Sequence, residues 1–88
     1  MITKQFKVLN ELGFHARVAS RIVREVRKFE SMVVVKKEGR DFNLKNITGV
    51  ITVNAKNSDV LTIEIEGSDE EAAAAALEGL FVSKFGEK

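Results

Sequence analysis

Alternation of hydrophobic and polar residues defines the first predicted element, a strand from Ile2 to Val8. The period of two is typical of a strand that buries one face, here with one polar residue, Lys4, on the inner side. A helical pattern follows from about Ala16 to Lys28, where apolar residues recur at intervals of three and four. The apolar face of that helix consists of Val18, Ala19, Ile22, Val26 and Phe29.

The middle of the chain predicts a β-hairpin. The run from Met32 to Lys37 is rich in β-branched residues, which favours a central strand, and the segment from Arg40 to Leu44 returns beside it. Gly39 lies in the turn, where a hairpin needs a residue that tolerates positive φ. Phe42 and Leu44 share one face of the returning strand.

The segment after the hairpin predicts a short helix and a loop. Asn46 is a residue type favoured at helix N-caps, and Ile47, Val50 and Ile51 follow it at helical spacing. Residues 54–59 are polar, which predicts a loop before the next strand.

A strand and a long helix are predicted for the last third of the chain. Residues Val60 to Glu66 alternate between apolar and polar side chains, as in a half-buried strand. The sequence from Ser68 to Glu71 predicts a capping box at the helix start, and Gly86 suits the C-terminal cap. Gly79 inside the helix costs about 1 kcal/mol relative to alanine. The apolar stripe of the helix consists of Leu77, Leu80, Phe81 and Phe85.

This order of elements indicates an α+β fold, an open-faced β-sandwich in which three helices pack on one face of a four-stranded sheet. The chain has 88 residues and no proline, and we expect a single domain over residues 1–88. A chain of this size buries about 60–65% of its unfolded surface, which is enough for one core.

The composition excludes several kinds of site. The chain has no cysteine and one histidine, so it can form neither a disulfide nor a site built from several histidines or thiolates. Its formal net charge of +1 gives no overall bias toward nucleic acid or membranes. No run reaches the roughly 18–20 apolar residues that span a bilayer, and the first residues lack the pattern of a signal peptide. We therefore expect a cytoplasmic protein.

The only histidine lies where the first strand gives way to the first helix, within Gly13-Phe14-His15-Ala16-Arg17. Gly13 can turn the chain at positive φ, which brings His15 to the helix start, where the first backbone N–H groups lack acceptors. Those donors and the helix dipole attract anions, and Arg17 can add a planar fork for a phosphate. The dipole disfavours imidazolium, so the ring keeps a nucleophilic lone pair. We hypothesise that His15 is transiently phosphorylated.

Other interpretations of these residues stay open. A lone histidine near a helix start usually has no function, although the strand–turn–helix setting and the neighbouring arginine favour one here. The first helix also has a basic face, which is either a solvated surface or a docking surface for an acidic partner. The basic face consists of Arg17, Arg21, Arg24 and Lys28.

Two further classes of function, a binding module and a hydrolase, compete with phosphorylation of His15. A small binding module without phosphotransfer would use the basic helix to hold nucleic acid or an acidic protein; the low net charge and the lack of tyrosine and tryptophan argue against nucleic acid. A hydrolase with His15 as general base needs a nucleophile and an orienting acid in one cleft, and Ser20 follows too closely on the same helix.

The segment from Gly13 to Arg17 resembles the active-site signature of HPr, the histidine-containing phosphocarrier protein of the phosphoenolpyruvate-dependent sugar phosphotransferase system. The family pattern is Gly-Leu-His-Ala-Arg-Pro-Ala. A second segment, Lys45 to Asn54, aligns without gaps with the family segment Lys-Ser-Ile-Met-Gly-Val-Met-Ser-Leu-Gly, and the resemblance covers almost the whole chain. In that segment the two agree at Lys45, Ile47, Gly49 and Val50.

The resemblance implies an antiparallel sheet with strand order 1-4-2-3 and a role for each site residue. His15 would accept the phosphoryl group on Nδ1, giving pros-phosphohistidine, and Arg17 would stabilise the phosphate. Ala16 and Arg17 would supply backbone N–H groups. Enzyme I, charged by phosphoenolpyruvate, would be the donor and enzyme IIA proteins of sugar permeases the acceptors. No cofactor or metal is implied, and the protein would be a stoichiometric carrier rather than an enzyme.

The resemblance also implies a docking surface for those partner proteins. We expect a monomer that binds neither nucleic acid nor membranes. The implied docking residues are Phe14, Ser20, Arg21, Arg24, Ile47, Thr48 and Ile51.

Three departures from the family pattern matter for function. Val18 stands where the family has proline, which pre-sets φ in the first turn, so the helix start is less pre-organised here. Asn46 stands at the position of a regulatory serine; it can cap a helix but cannot be phosphorylated. Thr48 and Ile51 replace two methionines, and their stiffer side chains predict a narrower or different set of partners. A role in sugar uptake and a role as a regulatory paralogue are both open.

Overall fold

The structure is a computed structural model that describes residues 1–87, and it consists of a four-stranded antiparallel sheet with three helices on one face. The strand order is β1-β4-β2-β3, so the predicted fold class and the implied strand order are both confirmed. Within the described part of the chain, each helix is too short or too polar to cross a bilayer. The elements are β1 (Ile2–Lys7), α1 (Ala16–Val26), β2 (Met32–Lys37), β3 (Arg40–Asn43), α2 (Ile47–Val53), β4 (Val60–Glu66) and α3 (Glu70–Val82), followed by a 3-10 turn (Lys84–Gly86).

The pairing of β4 with both β1 and β2 determines which side chains face the helices. Ile63 lies opposite Lys4 of β1 and Val35 of β2. Since side chains alternate along a strand, this register directs one apolar row of β4 into the core. Lys4 lies on the same side at the sheet edge and pairs with Glu78 of α3 at 3.8 Å. The buried row of β4 is Leu61, Ile63 and Ile65.

Four phenylalanines form an aromatic cluster that joins the site-bearing loop to the end of the chain. Phe6 of β1 stacks on Phe81 of α3, with ring centroids 4.9 Å apart. Phe14, just before α1, meets the edge of Phe85 at 5.8 Å, and Phe85 lies 4.9 Å from Phe81. All four rings are buried. The cluster therefore fixes the loop before α1 against the turn that follows α3.

The boundaries of three predicted elements differ slightly from those observed. The strand predicted to Val8 ends at Lys7, the helix predicted to about Lys28 ends at Val26, and β3 ends at Asn43 rather than Leu44. The residues just beyond these ends are still held by backbone bonds; the N–H of Val8, for example, donates to Asp59 at 2.8 Å. In each case the hydrophobic pattern of the sequence continues past the last residue with regular helix or strand hydrogen bonds.

The capping box predicted at the start of α3 is wrong. The N-cap is Asp69, one residue after Ser68, and its side chain makes no capping hydrogen bond. Its carboxylate instead accepts hydrogen bonds from the N–H of Glu30, the N–H of Ser31 and the Ser31 hydroxyl, across the molecule. The next acidic residue, Glu70, bonds the residue that follows β4: its carboxylate accepts a hydrogen bond from the N–H of Gly67 at 3.1 Å.

The end of α3 also differs from the prediction, because the helix stops at Val82 and Gly86 is not its cap. Lys84, Phe85 and Gly86 all have positive φ, between 56° and 77°, and they reverse the chain. Positive φ is unfavourable for the two non-glycine residues. The reversal buries the Phe85 ring in the aromatic cluster, which offsets that cost.

Two helical glycines give a matched test of helix propensity against packing. A Cβ on Gly79 would meet no atom within 4 Å, whereas a Cβ on Gly49 would lie 2.5 Å from the carbonyl oxygen of Asn43. We expect Gly79→Ala to raise the free energy of unfolding by about 0.5–1 kcal/mol. Gly49→Ala should lower it by about 1–3 kcal/mol, because the methyl group overpacks the site. Urea unfolding of both variants tests this, and stabilisation by Gly49→Ala would contradict it.

The Asp69 cluster predicts loss of stability in acid. The hydroxyl of Ser31, followed by the N–H of Glu30, lowers the pKa of the Asp69 carboxyl below its ordinary value. A lowered pKa contributes stability that is present above the unfolded-state value of about 4 and is lost as pH falls through the folded-state value. We expect Asp69→Asn to flatten the fall in unfolding midpoint between about pH 4 and pH 2. Glu66→Gln, an exposed control, should keep the parent profile; equal profiles for Asp69→Asn and the parent would contradict the assignment.

Candidate functional site

The loop before α1 is pressed against the segment that follows α2. Gly13 has φ of 65°, and a Cβ there would lie 2.3 Å from the carbonyl oxygen of Ala55. The N–H of Phe14 donates to the same carbonyl at 2.9 Å. Only glycine fits this combination of positive φ and close backbone approach. The contact fixes the chain immediately before His15.

Two asparagine side chains, one buried and one exposed, hold the same loop. Asn10 is fully buried, and its Nδ2 donates to the carbonyl of Gly13 at 2.9 Å and to Oε1 of Glu87 at 3.2 Å. Asn57 donates its Nδ2 to the carbonyls of Leu9 and Asn10 at 3.3 and 3.1 Å. Because the buried amide of Asn10 bonds in fixed directions and Asn57 adds two further bonds, the loop has little freedom to move.

His15 is the N-cap residue of α1, with φ of −86° and ψ of 178°. Its carbonyl accepts the first helical hydrogen bond, from the N–H of Ala19 at 2.8 Å. Within residues 1–87, the N–H groups of Ala16, Arg17 and Val18 have no hydrogen-bond acceptor. These groups form the donor set at the positive end of the helix dipole that the sequence predicts for an anion.

The His15 ring makes a contact that the sequence analysis missed. Its Nε2 lies 2.8 Å from Oε1 of Glu87, a residue 72 positions away. The hydrogen bond from His15 lowers the pKa of Glu87, with further lowering from the Asn10 amide and the Arg17 charge, while burial opposes it. The side chains are 29% and 17% exposed, so the ring is partly open to solvent. An isolated acidic residue near the end of a sequence carries no periodic signal that could have revealed this contact.

Arg17 is exposed in the first turn of α1. Its positive charge contributes to lowering the pKa of Glu87, so the guanidinium lies within electrostatic range of that carboxylate. Arg17 therefore adds positive charge beside the free N–H groups, and its planar fork is able to bind an anion.

Most of the predicted docking residues are exposed, and they lie on α1 and α2, which pack against each other. Phe14 is the exception: its ring is 5% exposed and belongs to the aromatic cluster, which leaves little of its surface for a partner, and its docking role stays a prediction. Asn46 caps α2 as expected, because its side chain accepts from the N–H of Thr48 at 2.8 Å. The exposed predicted residues are Ser20, Arg21, Arg24, Ile47, Thr48 and Ile51.

The chemistry available at this site is that of one histidine with an anion-binding backbone. The described residues contain no group of three or more histidine or acidic side chains arranged to hold a metal ion. The ring offers one nitrogen to Glu87, and the N–H groups of α1 offer hydrogen bonds to an anion beside it. This arrangement suits nucleophilic attack by the ring on an anionic group.

Comparison with known proteins identifies the family. A family model described as "PTS HPr component phosphorylation site" matches residues 2–83. Phosphocarrier protein HPr of Xylella fastidiosa is 37% identical over 87 residues, covering 99% of this chain and 98% of that protein. Phosphocarrier protein HPr of Treponema pallidum is 39% identical over 88 residues, covering all of both chains.

A solved structure agrees with these relatives. The crystal structure of HPr-C-His from Thermoanaerobacter tengcongensis matches with a TM-score of 0.94 and 36% identity, covering 100% of this chain and 99% of that chain. These similarities do not favour a binding module without phosphotransfer. The chain belongs to the HPr family, the phosphocarrier proteins of the phosphotransferase system.

Proposed function

We propose that this chain accepts a phosphoryl group from enzyme I on Nδ1 of His15 and passes it to enzyme IIA proteins. The observation that supports this most directly is the position of the ring at the start of α1, beside free N–H groups and with Nε2 occupied by Glu87. With Nε2 engaged, Nδ1 is the nitrogen with an available lone pair.

The transfer step follows from that arrangement. The Nδ1 lone pair forms a bond to phosphorus, and the bond between phosphorus and the donor's leaving atom breaks, with its electron pair going to the donor. The incoming oxygens are stabilised by the N–H groups of Ala16 and Arg17 and by the Arg17 guanidinium. Passing the group to an acceptor repeats the step in reverse. The protein is consumed and regenerated as a stoichiometric carrier, with no cofactor or metal of its own.

The docking surface in this proposal consists of the exposed side of α1 and α2. Arg21 and Arg24 give it positive charge, which speeds the approach of an acidic partner. Ile47 and Ile51 are large apolar side chains that are 42% and 46% exposed, and they supply the area that a partner covers. We place the protein in the cytoplasm as a single-domain monomer that uses neither nucleic acid nor a membrane as its partner.

Two uses of the carrier fit this surface: sugar uptake and a regulatory branch. Asn46 bonds its own helix and has no hydroxyl, so control by phosphorylation at this position is lost. Thr48 and Ile51 are stiffer than methionine. These features support a partner set that is narrower than, or different from, that of a sugar-transport carrier.

Labelling from phosphoenolpyruvate tests the phosphoryl carrier role. We expect the parent protein, incubated with enzyme I and labelled phosphoenolpyruvate, to gain one acid-labile phosphate per chain. His15→Ala should gain none, because the accepting nitrogen is missing. Arg17→Ala should still be labelled, but about tenfold more slowly, which corresponds to roughly 1.4 kcal/mol in the barrier. Acid-labile label retained on His15→Ala would overturn the proposal.

Restoring the two methionines tests the partner prediction. We expect the parent to accept phosphate from the enzyme I of a sugar-transport system more slowly than that system's own HPr. The double variant Thr48→Met with Ile51→Met should narrow the difference, because methionine adapts to varied surfaces. The matched control is Val82→Met, which adds an exposed methionine on α3. Equal rates for the parent and the cognate HPr would contradict the prediction.

A further inference from the structure

We propose that Glu87 is a positioning residue for phosphoryl transfer, one that holds the ring proton of His15 on Nε2 and leaves Nδ1 unprotonated. This inference rests on the proposed function, since it assigns a role in the same transfer step. It concerns the close polar contact that the ring makes within residues 1–87, which neither the sequence pattern nor the signature segment contains.

The hydrogen-bond inventory of the two groups determines the direction of the contact. An ionised carboxylate only accepts hydrogen bonds, so at a separation of 2.8 Å the ring nitrogen Nε2 must donate. A neutral imidazole has one N–H, and placing it on Nε2 leaves the lone pair on Nδ1. The lowered pKa of Glu87 is consistent with a carboxylate that stays ionised at neutral pH.

The Glu87 carboxylate is itself held in place. The same oxygen, Oε1, accepts from Nδ2 of the buried Asn10 at 3.2 Å. The N–H of Glu87 donates to the carbonyl of Lys84 at 2.9 Å, which closes the turn. Two positions earlier, Phe85 is buried in the aromatic cluster. These three contacts limit the freedom of the turn and of the Glu87 side chain, and they hold the carboxylate beside the ring.

The pairing matters most after Nδ1 has received the phosphoryl group. The lone pair is then committed to the N–P bond, and the ring, still protonated on Nε2, is an imidazolium. In the onward step this ring leaves as neutral imidazole, whereas a ring that had lost the Nε2 proton would leave as imidazolate, a much poorer leaving group. A carboxylate 2.8 Å from Nε2 stabilises the imidazolium form and so keeps the phosphoryl group transferable.

Other charged groups near the pair act in the opposite direction. Arg17 and Arg21 lie on α1, and the Arg21 guanidinium approaches the backbone of Gly86. Lys84 lies in the 3-10 turn. All three side chains are positively charged and disfavour the positive charge of the imidazolium. Glu87 is the charge in direct contact with Nε2, and its removal should therefore expose the ring to this positive field.

The test uses Glu87→Ala and Glu87→Gln, with Glu78→Gln as the control because it removes a carboxylate that pairs with Lys4 rather than with the ring. After labelling with enzyme I and phosphoenolpyruvate, hydrolysis of the phosphorylated protein is followed from about pH 5 to pH 9. We expect the falling limb of the rate to move to lower pH by about one unit in both Glu87 variants, because an opposite charge next to the ring favours its protonated form. Glu78→Gln should match the parent.

A second measurement reads the tautomer directly on the unphosphorylated protein. The ¹⁵N chemical shifts of the two ring nitrogens, recorded in alkaline solution, should show the Nε2-protonated form alone in the parent and a larger share of the other tautomer in Glu87→Ala. Unchanged pH profiles and unchanged ring shifts in the Glu87 variants, with label still on His15, would overturn this inference and leave the proposed function intact. Absence of label on the parent would overturn the transfer proposal, while the ring shifts would still decide whether Glu87 fixes the tautomer.

Discussion

The hydrogen bond between Nε2 of His15 and the carboxylate of Glu87 is the interaction on which the site depends. It distinguishes the two nitrogens of the ring, because Nε2 is paired with a carboxylate and Nδ1 is not. The ring lies at the start of α1, where backbone N–H groups of the described residues have no acceptor. In the proposed transfer, the helix start would hold the phosphoryl group, and the carboxylate would stabilise the positive charge that the ring gains on accepting it. In this proposal, His15 would offer an unprotonated nitrogen before transfer and carry a stabilised positive charge after it.

Most of the fold follows from local pattern. The alternation in β4 and the helical spacing in α1 predicted the elements that are observed, because each buries one continuous apolar face. The cap of α2 was also predictable, since Asn46 bonds within its own turn. The signature around His15 located the candidate site because the strand, the glycine turn and the helix start are adjacent along the chain.

The features that the sequence did not reveal are contacts between distant segments. Asp69 was available to cap α3 locally, but its carboxylate bonds to Ser31 instead, because three donors converge there in the folded chain. In the sequence, the apolar spacing of α3 continues as far as Phe85. The helix itself ends at Val82, and positive φ at Lys84 and Phe85 reverses the chain. Glu87 reaches the ring only because of that reversal. Local periodicity carries no information on contacts between segments that are distant in the sequence.

The aromatic cluster in the core limits which substitutions the site can accept. Phe14 and Phe85 are the neighbours of the ring and of the Glu87 turn, and their rings touch edge to face. A substitution that altered the size of either would shift His15 relative to its carboxylate, even if the core repacked without loss of stability. The sizes of the two rings are therefore coupled, since both positions set the distance between the His15 ring and the Glu87 carboxylate.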